Sequence, residues 1–222
     1  MNAAALAVLL STTPILGPGG LPAGWEPLDF PKIKAHTSYE WSASSMAIHA
    51  RAERSASGLI YKHEGSVAEL PMLRWKWMVA GPVPGGDEHQ KLGDDYAARL
   101  YITFRYEPRR VGLLTRLKYG AVKLLKGERP PHNAICYIWA NKLAAGEDLP
   151  SPYTKKVRMV AVRSGAAGAG EWRSEERNIL EDYRRLFGEL PPPYAGVAIM
   201  TDADNTKTSA EAWYADITLS GR

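Results

Sequence analysis

Apolar and polar residues alternate with a period of two along most of this chain. Leu73, Trp75, Trp77 and Val79 share one side of an extended segment, with Arg74, Lys76 and Met78 on the other. Gly81-Pro82 and Pro84-Gly85-Gly86 end that segment. The longest alternation covers 95–106, where Tyr96, Ala98, Leu100, Ile102, Phe104 and Tyr106 interleave with Ala97, Arg99, Tyr101, Thr103 and Arg105. Other strand-like runs span 38–43, 46–52, 57–63, 133–140, 155–163, 195–201 and 212–220. About nine strands joined mostly by short connections predict a mainly β fold, an antiparallel β-sandwich of jelly-roll form, over a parallel α/β sheet.

Two segments depart from that period. In 111–126, Leu113, Leu114, Leu117, Ala121, Val122, Leu124 and Leu125 recur at helical spacing, although Gly112, Gly120 and Gly127 weaken one continuous helix. The second, 174–187, predicts a helix with Ser174 as N-cap. Glu175 and Glu176 would sit in its first turn, Arg184 and Arg185 in its last, and Gly188 just beyond. One domain is expected over 23–222, with a basic helical insertion at 109–130. No linker or internal repeat divides it.

Composition narrows the class. With 222 residues, 45% hydrophobic and 23% charged, the chain can build a full core. A net charge of +4 is too small to imply nucleic acid, but the excess is local. Arg105, Arg109, Arg110, Arg116, Lys118, Lys123, Lys126 and Arg129 stand against only Glu107 and Glu128. That stretch is either a solvated helical face or a surface for an anionic membrane, an acidic polysaccharide or a partner protein. Nucleic acid is disfavoured, since no known binding motif accompanies the charge. Cys136 is the one cysteine, so neither an intrachain disulfide nor a cysteine-based zinc site can form. Its apolar flanks predict a buried structural thiol. Residues 1–22 are apolar, then loop-like, and lack a basic lead; they suit the remnant of an export signal or an expendable terminus.

Several blocks resemble a bacterial family known as domain of unknown function 3047. They are Leu73-Arg74-Trp75-Lys76-Trp77, Gly93-Asp94-Asp95-Tyr96-Ala97-Ala98-Arg99, Cys136-Tyr137-Ile138-Trp139-Ala140, Glu181-Asp182-Tyr183 through Phe187-Gly188, Thr201-Asp202-Ala203-Asp204-Asn205-Thr206, and Ala212-Trp213-Tyr214-Ala215-Asp216-Ile217. The resemblance runs from about residue 25 to the C-terminus. It implies an exported, periplasmic protein and supplies no activity; the 111–126 segment looks like an addition to the family pattern. The lead around Gly24-Trp25 and the closing strand with Asp216 also resemble sugar-binding jelly rolls of the galactose-binding-like class, a likeness of fold only.

The residues able to carry chemistry lie at strand ends. Asp94 and Asp95 precede one strand while Asp202 and Asp204 follow another, and loop ends of a sandwich cluster in space. Three readings stay open. Arg99 pairs with one of these carboxylates while Asx side chains cap the turns. Alternatively Asp94, Asp202, Asp204 and Asn205 hold calcium through oxygen ligands. In the third, one acid from each pair cleaves a glycosidic bond, with Arg99 or Tyr96 stabilising charge. Adjacent acids on an extended chain point to opposite faces, so at most one of Asp94 and Asp95 would serve.

Seven Trp and eleven Tyr against three Phe suit sugar stacking, with Trp75, Trp77, Tyr96, Arg99 and Trp139 as candidate ligand-binding residues. Trp75 and Trp77 share a face, so both belong to the core, the favoured reading, or both to a platform. The histidines show no metal spacing, no Gly-x-Ser-x-Gly occurs, and 165–170 lacks the Lys of a phosphate loop. The leading expectation is a non-catalytic, carbohydrate-binding domain of the bacterial cell envelope. Alternatives are a glycan-acting enzyme and a membrane or protein interaction module.

Overall fold

The computed structural model describes residues 24–112 and 130–221, together with the backbone of Val8–Leu9. Thirteen strands are present among the described residues: β1 (Val8–Leu9), β2 (Trp25–Leu28), β3 (Ser38–Ser42), β4 (Ala47–Glu53), β5 (Ala56–Gly65), β6 (Met72–Val79), β7 (Arg99–Phe104), β8 (Ala134–Ala140), β9 (Asp148–Ser151), β10 (Thr154–Ser164), β11 (Arg173–Asn178), β12 (Tyr194–Asp202) and β13 (Ser209–Ser220). One sheet has the order β11-β6-β13-β4-β3, with β1 also paired to β13. The other runs β2-β5-β12-β7-β8-β10-β9. The expected β-sandwich is therefore present, antiparallel except where β10 lies parallel to β8.

Period-two alternation fills the space between the sheets. Leu73, Trp75, Trp77 and Val79 from β6 meet Leu100, Ile102, Tyr137, Trp139, Val197 and Ile199 from the facing sheet. Trp75 lies 5.3 Å from Trp77 and 5.4 Å from Tyr137, ring centre to ring centre, and Trp77 lies 6.0 Å from Trp139. These offset and edge-on contacts are the arrangements that aromatic quadrupoles favour.

Every residue of β8 is buried, on both faces. The reason is a second apolar cluster on the outer side of the seven-stranded sheet, where Tyr96 covers Cys136, Ile138, Ala140, Met159 and Ala161. A strand covered on both sides reads as a continuous apolar run, and Ala134–Ala140 does. Cys136 lies inside this cluster, and burial pushes its thiol up to about 12, as an inert structural cysteine requires.

Two elements differ from expectation. The segment 174–178 is not helical. It completes β11, paired with β6 from Arg173↔Trp77 to Asn178↔Met72. Glu175 and Arg177, on one side of the strand, are both engaged: Glu175 accepts the Trp77 indole N–H at 3.0 Å and takes Arg163 at 2.7 Å, while Arg177 grips Asp182. Helix α1 (Ile179–Phe187) starts only after Asn178, whose side chain accepts the Glu181 N–H at 3.2 Å. Its end is as expected, with Arg184 and Arg185 in the last turn and Gly188 at φ 72°. The second difference is that 94–98 lies outside β7. Asp202 draws the Tyr96 N–H to its side chain at 3.1 Å, and Tyr96 turns onto the outer sheet face, away from Leu100 and Ile102. The helix expected at 111–126 lies outside the described residues, apart from its first two positions.

Among the described residues, no helix is long and apolar enough to cross a membrane.

Candidate functional site

The end of the sandwich where β12 finishes and β7 begins gathers the acidic residues. Arg99, at the first position of β7, is buried. Its Nε donates to Asp202 Oδ1 at 2.9 Å and its Nη2 to Asp202 Oδ2, a two-pronged pair. Nη2 also donates to the Asp94 carbonyl at 2.8 Å, and Nη1 stands 3.6 Å from Asp94 Oδ2. The guanidinium carbon lies 4.2 Å from the centre of the Tyr96 ring, within cation–π range.

Asp95 does different work. Its two oxygens accept the backbone N–H groups of Asn205, at 3.2 Å, and Thr206, at 2.6 Å. That fixes the turn after β12 against the segment before β7. Both parts of the ion-pair and turn-capping reading are thus seen in the geometry. Glu88, fully buried, fastens the neighbouring loop by accepting the N–H groups of Asn141, Lys142 and Leu143.

The electrostatics follow from burial. Burial raises the Asp202 carboxyl, against the pull of Arg99. Asp94 is raised by burial, with Arg99 opposing and Asp95 adding repulsion, and its Oδ1 is buried without a hydrogen bond. Asp204 is raised by burial and by the charge of Asp95. A carboxyl raised on folding gives stability that is whole below the unfolded value and is lost as pH rises through the folded one. These groups therefore erode stability from about pH 4 upward. Asp94→Asn removes one of them, so the variant is expected to gain more in melting temperature at about pH 8 than at about pH 5. Thermal unfolding at the two values checks this; a variant that loses ground on going to the higher pH would contradict it.

Two groups among the described residues have ligand atoms close enough to share a cation, Asp87, Glu88 and His89 in the neighbouring loop and, among the predicted residues, Asp95, Asp202 and Asp204, one oxygen of each of these three lying within 4.8 Å of the others. Asp95 thus takes the place expected for Asp94, which turns toward Arg99. Calcium is the ion such hard oxygen donors would suit. Arg99 already spans both Asp202 oxygens, and two backbone N–H groups occupy Asp95. The expected melting temperature is therefore the same in EDTA and in millimolar calcium. A calcium-dependent rise would show instead that a cation joins Arg99 in the cluster.

Above this scaffold the surface carries one prominent ring. Tyr153, in the turn between β9 and β10, is 57% exposed. Its hydroxyl accepts from Asn205 Nδ2 at 2.9 Å and donates to the Lys91 carbonyl at 3.3 Å. Asn205 Nδ2 also reaches that carbonyl, at 2.7 Å. Burial pushes the phenol up, with the charges of Asp94 and Asp204 adding to it, so the O–H keeps its proton as a donor. The Lys91 ammonium stands 5.7 Å from the ring centre, and Leu92 beside it is 80% exposed. The ring is held by its polar tip while its apolar body faces solvent. The chain of causes is short: Asp95 sets the turn, the turn sets Asn205, and Asn205 sets Tyr153.

The other sequence candidates lie elsewhere. Trp75, Trp77 and Trp139 are 1%, 0% and 0% exposed in the sandwich core, and Tyr96 is buried in the second cluster, which leaves no ring face for a sugar. The core reading of the strand tryptophans holds, and their place as a ligand platform is corrected: inward registry on the strands puts them between the sheets. Arg99 is likewise closed off by Asp94, Asp202 and Tyr96. Asp94, Asp95 and Asp202 are 4%, 0% and 1% exposed, too deep for a glycosidic bond to reach, so the catalytic pairing gains no open cleft. Arg109 and Arg110 form a short turn, with Arg110 2.6 Å from Glu107 and donating to the Leu190 carbonyl at 2.5 Å. Arg116, Lys118, Lys123 and Lys126 lie outside the described residues. The sequence pattern does not single out Tyr153, although Pro150-Ser151-Pro152 before it is a turn signal that places the ring at a tip.

Fold and site define a class: a β-sandwich whose loop end holds a buried Arg–Asp scaffold beneath a pinned, exposed tyrosine. The chain belongs to the family described as protein of unknown function (DUF3047), whose model matches residues 23–218. Among curated proteins, no sequence matches it. Among solved structures, it is similar to the family 11 carbohydrate-binding module of the cellulosomal cellulase Lic26A-Cel5E of Clostridium thermocellum, at 11% identity and TM-score 0.48, covering 99% of this chain and 97% of that one. It is also similar to a CBM29-2 mutant complexed with cellulohexaose, at 10% identity and TM-score 0.41, over 99% and 93% of the two chains. A family 11 module from the same organism in complex with a β-1,3-1,4-mixed-linked tetrasaccharide gives 9% identity and TM-score 0.41, over 89% and 88%.

Proposed function

We propose that this chain is a non-catalytic glycan-binding domain of the bacterial cell envelope, and that Tyr153 is its sugar platform. One observation carries the reading: an exposed aromatic ring whose hydroxyl is fixed by Asn205 and by the Lys91 carbonyl. A fixed ring stacks on the apolar face of a sugar with little loss of side-chain freedom, which is the usual cost of recruiting a surface residue. Polar groups lie around it, with Asp204 half-buried and Lys91 exposed, able to address sugar hydroxyls. The acids beneath serve as support. Their burial favours this binding reading over hydrolysis, which needs carboxylates on both sides of a bound glycosidic link.

The experiment is a glycan array probed with purified protein, weighted toward bacterial envelope glycans. The expected result is a set of related glycans bound above background, with the signal competed by the free oligosaccharide. A blank array, together with calorimetry showing no heat for the same glycans, would overturn the reading.

A further inference from the structure

At the other end of β12 a groove of about 460 Å³ opens beside Tyr194, lined by the loop after β5, the start of α1 and the chain leading into β12. Val67, Leu180, Leu190 and Pro193 supply an apolar lining, and Leu190 is 56% exposed. Two charges of opposite sign stand among the lining residues. Arg105 Nη1 lies 3.9 Å from Glu64 Oε2, beyond hydrogen-bond reach, with side chains 52% and 76% exposed. They form only a loose ion pair, and their exposure leaves each able to take another partner. The frame is built in: Tyr194 Oη donates to the Leu70 carbonyl at 2.7 Å, Leu70 N–H reaches Ser66 O at 3.2 Å, and Arg105 N–H reaches Pro193 O at 2.8 Å.

We propose that this groove binds a free α-amino acid with an apolar side chain. An α-amino acid carries a carboxylate and an ammonium one carbon apart, matching the loosely paired Arg105 and Glu64. The carboxylate meets the planar guanidinium in a forked pair. The ammonium meets Glu64, and the side chain is buried on Val67, Leu180, Leu190 and Pro193. A volume of about 460 Å³ lies within the range of small-molecule sites. A simple carboxylate would leave Glu64 facing it with like charge, and an amine would leave Arg105 so. Only a zwitterion satisfies both. The groove shares no residue with the Tyr153 surface, so the two readings stand or fall separately.

The test is titration calorimetry of the whole chain with L-leucine, leucinamide, N-acetyl-leucine and glycine. Leucine is expected to bind about tenfold or more tightly than each of the other three, each of which lacks one of its three contacts. Arg105→Gln should lower leucine affinity by about tenfold without lowering that of leucinamide, and Glu64→Gln should do the same with respect to N-acetyl-leucine. Both side chains are exposed, so unchanged melting temperatures will show that the fold is intact. No heat with leucine would overturn the proposal. So would leucine binding no tighter than its amide and acetyl derivatives, or leucine affinity indifferent to Arg105→Gln.

Discussion

Arg99→Met is expected to cost about 3–5 kcal/mol of folding stability, the penalty for removing one partner of a buried charge pair. For a chain of this length that is a fall of roughly 10 °C in melting temperature. The size follows from what Arg99 touches. Its guanidinium closes both oxygens of Asp202 and donates to the Asp94 carbonyl of the preceding loop. Without it, Asp94 and Asp202 must be buried charged or take up protons, and both are already raised by burial. Methionine keeps the volume of the stem but returns none of the hydrogen bonds. Adding Asp202→Asn to the variant should recover part of the loss, because the amide removes the unpaired charge. Arg99→Lys should fall between, since an ammonium cannot span two oxygens as a fork does. Chemical denaturation of the four proteins measures this. An Arg99→Met loss below about 1 kcal/mol, the scale of a surface pair, would mean that the cluster does not clamp this end of the sandwich.

The sandwich was legible because alternation is a direct imprint of two-sided sheets. It placed Trp75 and Trp77 on one face of β6, and it placed Asp94, Asp95, Asp202 and Asp204 at one end of the fold. It failed where side chains compete with the ladder. Tyr96 looked like the first inward residue of a long strand, yet Asp202 takes its N–H and sends it to the outer face. Ser174, Glu175 and Glu176 had the chemistry of a helix start, but Glu175 is spoken for by Trp77 and Arg163, partners far along the chain. Local propensity yields to such contacts. The candidate site was half visible for a similar reason. Acid pairs announce themselves in sequence, whereas which of them meets Arg99 and which caps the Asn205–Thr206 turn depends on registry between β7 and β12. An exposed tyrosine at a loop tip carries no pattern until Asn205 and the Lys91 carbonyl are seen to hold it.

Tyr153→Ala is expected to remove nearly all glycan affinity while sparing the fold. Loss of a stacking ring at a small site costs about 2 kcal/mol or more, roughly thirtyfold in Kd. The ring is 57% exposed, so its removal should shift stability by about 0.5 kcal/mol or less. Tyr153→Phe separates the two parts of the argument: it keeps the ring but loses the bonds to Asn205 and the Lys91 carbonyl, and it should weaken binding less than Tyr153→Ala. The measurement that bears most directly on the central claim is titration calorimetry of the best array glycan against wild type, Tyr153→Ala and Tyr153→Phe. Affinity is expected to fall in the order wild type, Phe, Ala, with all three melting alike. Equal affinity in wild type and Tyr153→Ala would contradict it, because the glycan would then be held by some other surface.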